Sequence, residues 1–454
     1  MNDLLHIVIL AAGKGTRMYS KLPKVLHQIG GIPLVQHVIN TAQSLQPASI
    51  QVVIGHGKEL VQDQIQSPVT WVIQDQQLGT GHAVKCALPH LPKDGKTLIL
   101  YGDVPLTDAA TLEQLLALAG DEVGLLTDVL EQPQGYGRII RNEQGICAIV
   151  EEKDADANQK QIQEINTGIL VLPNAKLEKW LNTLQNSNAQ GEYYLTDVIA
   201  LAVQDGVTVH GMTVRASHLA AGINNKLQLA EIERIYQAEQ AKALMTAGIT
   251  LRDPNRFDLR GTLQHGLDCI IDVNVVIEGD CVLGDDVHIG ANCVLNNATI
   301  GSGCQIAPFS HLSDCVVGTD ARIGPFARLR PNAQLGNDVH IGNFVEVKNS
   351  QIGNGSKVNH LSYIGDAQIG TQSNIGAGTI TCNYDGVNKF KTTIGDHVRI
   401  GSGSMLVAPV TIHNLVTTGA GSVITKDCPE NHLSIGRARQ TNIANWKRPE
   451  KQNK

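Results

Sequence analysis

The first residues suited to chemistry lie between positions 10 and 24, where small residues alternate with basic ones. Residues 10–18 read LAAGKGTRM, and Lys24 follows in Leu22-Pro23-Lys24. Glycines at 13 and 15 let the backbone approach a polyphosphate closely, with N–H groups directed at its oxygens. Arg17 and Lys24 add positive charge where a pyrophosphate leaving group would develop. The spacing matches neither a kinase phosphate loop nor a dinucleotide-binding loop, so both classes are disfavoured.

Two oxygen donors further along the chain are candidate metal ligands. Asp103 follows the apolar run Thr97–Tyr101, at the end of a predicted strand, and Mg²⁺ prefers hard oxygen ligands of this kind. An Asp before Pro105 often only shapes a turn, which is the structural alternative. Asn224 stands in the sequence GINN at 222–225, where capping a helix is the alternative role.

A second group of reactive side chains interrupts a small and neutral stretch near the carboxyl end. Arg330 and Lys348 are suited to hold a dianionic sugar phosphate. His360 is suited to take a proton from an amine that attacks a thioester, because imidazole is the side chain that exchanges protons near neutral pH. Any one of the 16 histidines is more commonly a solvated surface residue. The position of His360, between these basic residues and a large polar insertion, favours catalysis.

That insertion, TCNYDGVNKFKT at 381–392, breaks the surrounding repeat. Insertions of this kind form loops on one face, which is commonly the binding face. Asn374 and the pair Asn383-Tyr384 are placed to orient a sugar. The Ser402 hydroxyl, or a backbone N–H, would stabilise the oxyanion of an acyl transfer.

The first part of the chain has the alternating pattern of strands and helices that is typical of an α/β domain. Apolar strand-like runs at Ile7–Leu10, Gln51–Ile54, Thr97–Tyr101 and Val123–Leu126 alternate with helical patterns at Pro33–Leu45 and Thr111–Ala119. This alternation predicts a mostly parallel sheet with helices on both faces, and ligands at the carboxyl ends of the strands. The glycine-free stretch Leu227–Ala247 has a helical pattern, which predicts a linker helix within residues 227–250.

From Ile271 onward an aliphatic residue recurs about every six positions. The series is Ile271, Ile277, Leu283, Ile289, Leu295, Ile300, Ile306, Leu312, Val317, Ile323, Leu329, Leu335, Ile341, Val347, Ile352, Val358, Ile364, Ile369 and Ile375, resuming at Ile394, Ile400, Leu406 and Ile412. This period is the signature of a hexapeptide β-helix, in which three units make one triangular coil and the aliphatic side chains stack inside.

Composition excludes several other classes. The formal net charge of −7 disfavours a nucleic-acid binder, and no run approaches the roughly 20 apolar residues of a membrane span. The chain start lacks the basic residues of a signal peptide, so the cytoplasm is the expected location. The nine cysteines form no CxxC pair. Cys269, Cys281, Cys293 and Cys304 recur with the hexapeptides, which indicates small core residues rather than zinc ligands.

The pattern LxxGxGTRM followed by PK resembles the sugar-phosphate nucleotidyltransferase family. Further segments resemble that family in order: the base-recognition region near Gln74, the carboxylate after Tyr101, the sugar-binding elements and the second metal ligand. The resemblance implies a set that binds a nucleoside triphosphate and its sugar-nucleotide product: Leu10, Ala11, Ala12, Gly13, Arg17, Lys24, Gln74, Gly79, Thr80, Tyr101, Gly102, Asp103, Gly137, Glu151, Asn166 and Asn224. Asp103 and Asn224 would hold Mg²⁺.

The whole chain resembles the bacterial bifunctional family that joins such a domain to a hexapeptide-repeat acyltransferase, through the segments RP at 330–331, EVK at 346–348, HLSY at 360–363 and ITCNYDGVNK at 380–389. The resemblance implies a left-handed β-helix and a homotrimer with acetyl-transfer sites between neighbouring solenoids. The substrates would be acetyl-CoA, glucosamine-1-phosphate, N-acetylglucosamine-1-phosphate and UTP. Acetylation would precede uridylylation to UDP-N-acetylglucosamine, a precursor for peptidoglycan and lipid A.

For the second site the resemblance implies His360 as the catalytic base. Glucosamine-1-phosphate would be bound by Arg330, Lys348, Tyr363 and Asn374, and acetyl-CoA by Ala377, Asn383, Tyr384, Ser402, Ala420 and Arg437. The tail departs from the expected pattern, because Ile435-Gly436 stands where a Ser is expected before Arg437. The expected organisation is a nucleotidyltransferase domain at 1–226, a linker helix at 227–250, a β-helix at 251–436 and a tail at 437–454.

Two other interpretations compete with this one. The solenoid could serve only to regulate or trimerise a single nucleotidyltransferase, but His360 with its basic neighbours and the insertion disfavours that. A non-catalytic sensor of nucleotide sugars would not need both the Arg17/Lys24 and the Asp103/Asn224 pairs.

Overall fold

The computed structural model describes residues 2–451, so the last three residues of the expected tail lie outside the described part. The chain divides into two compact units, Met1–Tyr236 and Gln237–Lys454. The division falls inside the helix that follows Asn224. Each unit has its own buried aliphatic core.

The first unit is a mixed sheet covered by helices. Its elements are β1 (Asn2–Leu10), β2 (Gln28–Ile29), β3 (Ile32–Pro33), α1 (Leu34–Ser44), β4 (Pro47–Ile54), α2 (Lys58–Gln64), β5 (Thr70–Ile73), α3 (Thr80–Ala87), β6 (Lys96–Tyr101), α4 (Ala109–Ala119), β7 (Val123–Val129), β8 (Arg138–Asn142), β9 (Gly145–Val150), β10 (Glu164–Pro173), α5 (Asn174–Thr183), α6 (Asp197–Gln204), β11 (Val209–Thr213) and α7 (Lys226–Thr246).

The strand order β11-β7-β10-β6-β1-β4-β5 explains where the site lies. Strands β4, β1 and β6 run parallel, so the loops after Leu10, Ile54 and Tyr101 meet at one edge of the sheet. Strand β10 runs antiparallel to β6 and β7, and β8 and β9 form a hairpin beside it. The predicted parallel centre is confirmed, with an antiparallel insertion that the strand pattern did not indicate.

The predicted strands and helices of this unit are present with wider or shifted ends. The predicted strand at Ile7–Leu10 extends over Asn2–Leu10, and the one at Gln51–Ile54 begins at Pro47. The helix expected over 227–250 is observed at Lys226–Thr246. It ends there because Gly248 takes a φ of +111°, a backbone conformation that a helix cannot continue.

The second unit is a left-handed parallel β-helix with three faces. The first face holds the strands Thr250–Leu251, Ile270–Ile271, His288–Ile289, Gln305–Ile306, Arg322–Ile323, His340–Asn343, Lys357–His360, Asn374–Ile375, Arg399–Ile400, Thr417–Thr418 and Leu433–Ser434. The other two faces hold Phe257–His265, Val275–Leu283, Val294–Ile300, His311–Val317, Arg328–Leu329, Gln334–Leu335, Glu346–Lys348, Gln351–Ile352, Tyr363–Gly365, Ala367–Ile369, Ile380–Cys382, Thr392–Ile394, Met405–Val407, Val410–Ile412 and Val423–Ile424.

The six-residue period predicted the core of this unit correctly. Every aliphatic residue of the series from Ile271 to Ile412 is buried, with at most 4% of its surface exposed. Cys269, Cys281, Cys293 and Cys304 are buried among them as free thiols. Burial raises the pKa of the Cys293 thiol to about 11, so it stays protonated as a small core residue.

The corners between the faces form columns of residues with positive φ. Corner 1, where the first face turns into the second, stacks Asn274, Asn292, Phe309, Phe326, Phe344, Leu361, Gly378, Gly403 and Gly421. Positive φ is unusual for a bulky side chain and common for Asn and Gly. The three phenylalanines stack with ring centroids 5.0 and 5.3 Å apart and remain about half exposed.

No helix within residues 2–451 is long and apolar enough to cross a membrane. The longest, α7, carries charged residues along its length.

Candidate active sites

A pocket of about 530 Å³ opens at the sheet edge where β1, β4 and β6 end. The phosphate loop forms one wall and the start of α3 forms the opposite wall. Of the nucleotide-binding residues predicted from sequence, the pocket is lined by Leu10, Ala11, Ala12, Gly13, Lys24, Gln74, Gly79, Thr80, Tyr101 and Asp103. Gly13 has open space where a Cβ would lie, and Gly15 takes a φ of +60° against the Lys24 side chain. The loop therefore leaves open space beside Gly13, and a side chain at position 15 would collide with Lys24.

Arg17 and Asn224 are joined to this pocket through Lys24. The Lys24 ammonium donates to Asn224 Oδ1 at 2.9 Å and forms an ion pair with Asp103 Oδ2. Arg17 Nη2 donates to the same Asn224 oxygen at 2.9 Å. The four residues that sequence placed around the leaving group and the metal therefore form one network, although Arg17 and Asn224 are 207 positions apart.

Asp103 and Asn224 fit a magnesium ion as partial ligands. One carboxylate and one amide oxygen converge on the Lys24 ammonium, so both donors already face a cation. Mg²⁺ is commonly held by one or two carboxylates together with substrate phosphates rather than by an all-protein cage. Residues 2–451 contain no group of three or more His, Cys, Asp or Glu that could hold a metal alone. A bound ion would therefore need the phosphate oxygens of a nucleotide.

A second group beside the pocket contains the residues predicted to bind the sugar. Asn166 N–H donates to the Gly137 carbonyl at 2.9 Å, and a Cβ at Gly137 would come within 3.5 Å of the Glu151 carboxylate. Thr196 Oγ1 donates to Glu151 Oε1 at 2.9 Å. Burial raises the pKa of Glu151, so this carboxylate is a ready hydrogen-bond partner for hydroxyl groups. Gly102 is buried beneath the pocket between Ala11 and Val25.

Gly168 connects the two groups, and this contact gives a prediction. Its φ is +89°, and a methyl group there would lie 2.6 Å from Tyr101 Cε2. We expect Gly168→Ala to destabilise this unit by about 1–3 kcal/mol in urea unfolding. We also expect it to weaken sugar-phosphate binding, because Tyr101 must move. Gly191→Ala is the matched control, since Gly191 also has positive φ (+68°) but nothing within 4 Å. Equal losses in both variants would show that backbone strain alone is responsible.

Among the pocket residues that were not predicted, two are polar and lie outside the phosphate loop. Gln77 and Glu192 line the pocket, and Gln77 Nε2 approaches the Gln74 carbonyl at 3.4 Å. Neither belongs to a motif with a recognisable spacing, so only the folded chain shows their position. Lys14, Gly15 and Thr16 also line it, as their place in the loop would suggest.

In the β-helix, the predicted base and most of the predicted acetyl-CoA residues share corner 1. Extending the pairing of Lys357 with Asn374, Arg399 and Thr417 by three residues places His360, Ala377, Ser402 and Ala420 in one column. Arg437 Nη1 donates to the Ala420 carbonyl at 2.6 Å. The column is a strip of small residues, which leaves room for an extended ligand beside His360.

The orientation of His360 suits a general base. Its Nδ1 lies 2.9 Å from Asn343 Oδ1, one coil earlier in the same face. An Nδ1–H that donates to this oxygen leaves the Nε2 lone pair free to accept a proton. Asn343 was not predicted, because its role depends on the stacking of coils rather than on a motif.

The predicted phosphate ligands lie at corner 2, where the second face turns into the third. Arg330 Nη1 pairs with Glu346 Oε1 at 2.8 Å, and Lys348 lies against Lys389 of the insertion. The charges of Lys389 and Arg330 lower the pKa of Lys348. Three cations held together in this way favour a dianion. Lys389 was not among the predicted residues, although it belongs to the insertion.

The insertion closes over corner 2 as a small loop. Phe390 N–H donates to the Asn383 carbonyl at 2.8 Å, and Tyr384 pairs with Lys389 in an antiparallel bridge. Asn383 Nδ2 donates to Asp366 Oδ2, which fixes the base of the loop. Tyr363 lies between the corners, with its hydroxyl over Gly365. Asn374 lies on the first face, in register with Lys357 and Arg399.

One chain therefore does not bring all the predicted acetyl-transfer residues together. Asn343 and Lys348 mark corners 1 and 2 of a single coil, and at about 3.3 Å per residue they lie on the order of 15 Å apart. The base and the small-residue column are at one corner, and the cationic cluster is at the other. The six-residue repeat predicted where each residue lies along a coil. The motifs did not indicate that the base and the cationic cluster lie at different corners.

Comparisons with known proteins assign both units to known classes. Residues 7–140 match the family described as MobA-like NTP transferase domain. Residues 265–297 match the bacterial transferase hexapeptide family, and residues 311–414 match the family described as GMPPB C-terminal domain. Over nearly the whole chain, the protein is similar to proteins named "Bifunctional protein GlmU", among them those of the three bacteria that follow. The identity is 67% for Neisseria meningitidis serogroup B and 61% for Chromobacterium violaceum, over 99% of both chains, and 58% for Acinetobacter baumannii over 98% of both.

The fold and the sites define a two-domain transferase, with a sugar nucleotidyltransferase unit followed by a hexapeptide acyltransferase unit. Identity at this level over nearly the full length of the relatives settles the family. The chain belongs to the bifunctional GlmU proteins.

Proposed function

We propose that this chain acetylates glucosamine-1-phosphate with acetyl-CoA in its β-helix and then transfers UMP from UTP to the N-acetylated product in its first unit, releasing pyrophosphate. Family membership supports both transferase activities. Three groups of polar residues support the pairing of the two activities. The first unit holds the network Arg17/Lys24/Asp103/Asn224, and the β-helix holds the cationic cluster Arg330/Lys348/Lys389 and, at a separate corner, His360 oriented by Asn343. The product, UDP-N-acetylglucosamine, would supply peptidoglycan and lipid A precursors.

In the first unit the reaction is an in-line displacement. A phosphate oxygen of N-acetylglucosamine-1-phosphate bonds to the α-phosphorus of UTP, and the bond to the bridging oxygen of pyrophosphate breaks. Such transfer depends on positioning and charge neutralisation more than on acid or base groups. Lys24 and Arg17 neutralise the departing pyrophosphate, and the loop at Gly13 donates backbone N–H groups. Asp103 and Asn224 would hold Mg²⁺, which supplies charge neutralisation on the phosphate oxygens when bound.

In the β-helix the amine of glucosamine-1-phosphate attacks the thioester carbonyl of acetyl-CoA. His360 Nε2 accepts the amine proton as the C–N bond forms. The C–S bond then breaks, and the proton on His360 passes to the sulfur, which releases CoA as the thiol. Arg330, Lys348 and Lys389 hold the sugar phosphate. The Ser402 hydroxyl donates to the oxyanion, and Arg437 closes the end of the acetyl-CoA column beside Ala420. Tyr363, Asn374, Asn383 and Tyr384 orient the two substrates.

We further propose that the chain works as a homotrimer with the acetyl-transfer site shared between copies. The separation of the two corners supports this, because a base at corner 1 cannot reach a phosphate held at corner 2 of the same coil. Corner 1 of one copy facing corner 2 of the next would complete the site. The exposed ridge of Phe309, Phe326, Phe344 and Leu361 leads along corner 1 directly to His360, and an apolar ridge of this kind is typical of a protein interface.

This assembly gives a prediction for the phenylalanine ridge. We expect Phe309→Asn, Phe326→Asn and Phe344→Asn, combined, to shift the protein from trimer to smaller species in light scattering, and to lower acetyl transfer with it. The coil itself should not lose stability, because Asn274 and Asn292 already occupy this column and Asn tolerates positive φ better than Phe.

The matched control is Leu415→Asn. Leu415 is an exposed apolar residue with a φ of +59° in the corner-3 column, between the third and first faces, where Asn431 stands one coil later. A trimer that survives the triple change, or one that Leu415→Asn disrupts equally, would contradict the assignment of corner 1 to the interface.

We infer a cytoplasmic location, which the nine free thiols within the described residues support. The small-molecule substrates named above would be the binding partners, with no nucleic acid and no membrane involved. The function as a whole is tested by supplying acetyl-CoA, glucosamine-1-phosphate, UTP and Mg²⁺ and measuring UDP-N-acetylglucosamine. Formation of UDP-glucosamine instead would reverse the proposed order of the two reactions.

A further inference from the structure

The side chain of Gln74 is held in one orientation at the wall of the nucleotide pocket. Gln74 is only 3% exposed and lies after β5, facing the first turn of α3. Its Nε2 donates to the Gly79 carbonyl at 3.1 Å and lies 3.1 Å from His82 Nδ1. A carbonyl oxygen only accepts hydrogen bonds, so the amide nitrogen must be the atom that faces Gly79. The orientation of the amide group is therefore fixed.

His82 must then accept a hydrogen bond through Nδ1. Both amide hydrogens of Gln74 are directed at acceptors only if His82 is neutral, with its proton on Nε2. The surroundings favour the neutral ring, and in this tautomer the Cys86 sulfur can accept weakly from Nε2–H. His82 Nε2 lies 3.9 Å from the Cys86 thiol one turn later in α3, and burial and the nearby Lys85 charge lower the pKa of His82. With both N–H groups taken, Oε1 is the amide atom left to accept a hydrogen bond, and Gln74 is one of the residues that line the pocket.

We propose that His82 is a positioning residue that makes the nucleotide pocket selective for uracil over cytosine by fixing the orientation of the Gln74 amide. Uracil carries a donor at N3–H, which complements an acceptor oxygen. Cytosine carries a lone pair at N3 and a donor amino group beside it, so the same oxygen would face another acceptor. The inference rests on the proposed uridylyl transfer, since it explains how that reaction selects its nucleotide. It does not separate uracil from thymine, whose N3–H is the same.

Loss of the His82 acceptor would free the Gln74 amide. One amide hydrogen would then lack a partner in a buried position, and rotation of the amide would let it turn N–H toward a cytosine N3. We expect His82→Ala to reduce the ratio of kcat/KM for UTP to kcat/KM for CTP by on the order of tenfold. The change should appear in KM for UTP more than in kcat, because the base takes no part in the phosphoryl transfer.

Two isosteric variants separate positioning from general packing. In His82→Asn the Oδ1 atom can lie where Nδ1 lies, which retains the acceptor, so we expect UTP selectivity to be kept. In His82→Gln the amide atoms lie one bond further out, near the position of Nε2, so selectivity should fall as in His82→Ala. His90→Ala removes an exposed histidine three positions after the end of α3, and it should leave the ratio unchanged.

The experiment is steady-state release of pyrophosphate with N-acetylglucosamine-1-phosphate and either UTP or CTP, for the wild type and the four variants in the full-length protein. Selectivity kept in His82→Asn and lost in His82→Ala and His82→Gln supports the inference. A wild type that discriminates while all His82 variants keep the same ratio overturns it and leaves the proposed function standing. A wild type that forms no product from UTP removes the proposed function, and this inference with it. If His82→Ala does not fold, the comparison of His82→Asn with His82→Gln decides the question.

Discussion

Replacing His360 with Ala is expected to lower kcat for CoA release from acetyl-CoA and glucosamine-1-phosphate by about 10²–10⁴-fold. The amine must lose its proton as it becomes an amide, and His360 Nε2 is the basic atom beside the column of small residues where we propose that acetyl-CoA binds. Asn343 Oδ1 holds the imidazole in the productive tautomer at 2.9 Å. Uridylyl transfer from supplied N-acetylglucosamine-1-phosphate should be unaffected, because that reaction uses the other unit.

The matched control is His311→Ala, which removes a histidine at the start of a strand several coils earlier. It should leave CoA release unchanged. A further arm tests the shared site. Mixing His360→Ala with Lys348→Ala subunits, unfolding and reassembling them together, should restore part of the activity, since some sites then combine an intact corner 1 with an intact corner 2. Loss of CoA release in His311→Ala as well as in His360→Ala would indicate a packing defect rather than the loss of a base. Mixed subunits that are as inactive as either variant alone would place the acetyl-transfer site within one copy.

Replacing Asp103 with Asn is expected to lower kcat for pyrophosphate release by about 10²–10³-fold. The carboxylate forms the ion pair with Lys24 and, with Asn224, would hold Mg²⁺, which would neutralise phosphate charge. A neutral amide keeps the size of the side chain but loses the charge. Titration with Mg²⁺ should show weaker dependence of the residual rate on the metal.

Asp75→Asn is the matched control for this change. Asp75 adjoins the pocket residue Gln74 but is largely exposed and pairs only loosely with Lys58, at 3.5 Å. We expect its uridylyl transfer to match the wild type, and CoA release to be normal in both variants. Pyrophosphate release that survives in Asp103→Asn would exclude the carboxylate as a required ligand.

The fold was predictable to the extent that it follows from periodic patterns. The six-residue period has one physical cause, the stacking of an inward aliphatic residue on each rung, and therefore Ile271, Ile341 and Ile400 all proved to be buried. The antiparallel strand β10 and the hairpin β8–β9 were not predicted, because an apolar run in the sequence does not indicate whether its strand pairs parallel or antiparallel to its neighbour. The end of α7 depended on the backbone conformation of Gly248 alone.

The first site was more predictable than the second. The loops after Leu10 and Tyr101 meet because their strands run parallel, which the alternation of strands and helices already implied. Only the family resemblance suggested that Arg17 and Asn224 lie close together. In the structure they are hydrogen-bonded, and α7, which follows Asn224, packs through Ile232 in one cluster with Ile29. In the β-helix the motifs identified His360 and Lys348, but their placement at two corners depends on how many residues each face holds. Lys389 and Asn343 required the folded chain.

The most direct test of the central claim, that one chain carries two transferase activities, is CoA thiol release by the wild type from acetyl-CoA and glucosamine-1-phosphate, with neither UTP nor Mg²⁺ present. We expect steady release of thiol that depends on glucosamine-1-phosphate and yields N-acetylglucosamine-1-phosphate. No release, in a preparation that still forms UDP-N-acetylglucosamine from supplied N-acetylglucosamine-1-phosphate, would contradict it and reduce the β-helix to a scaffold.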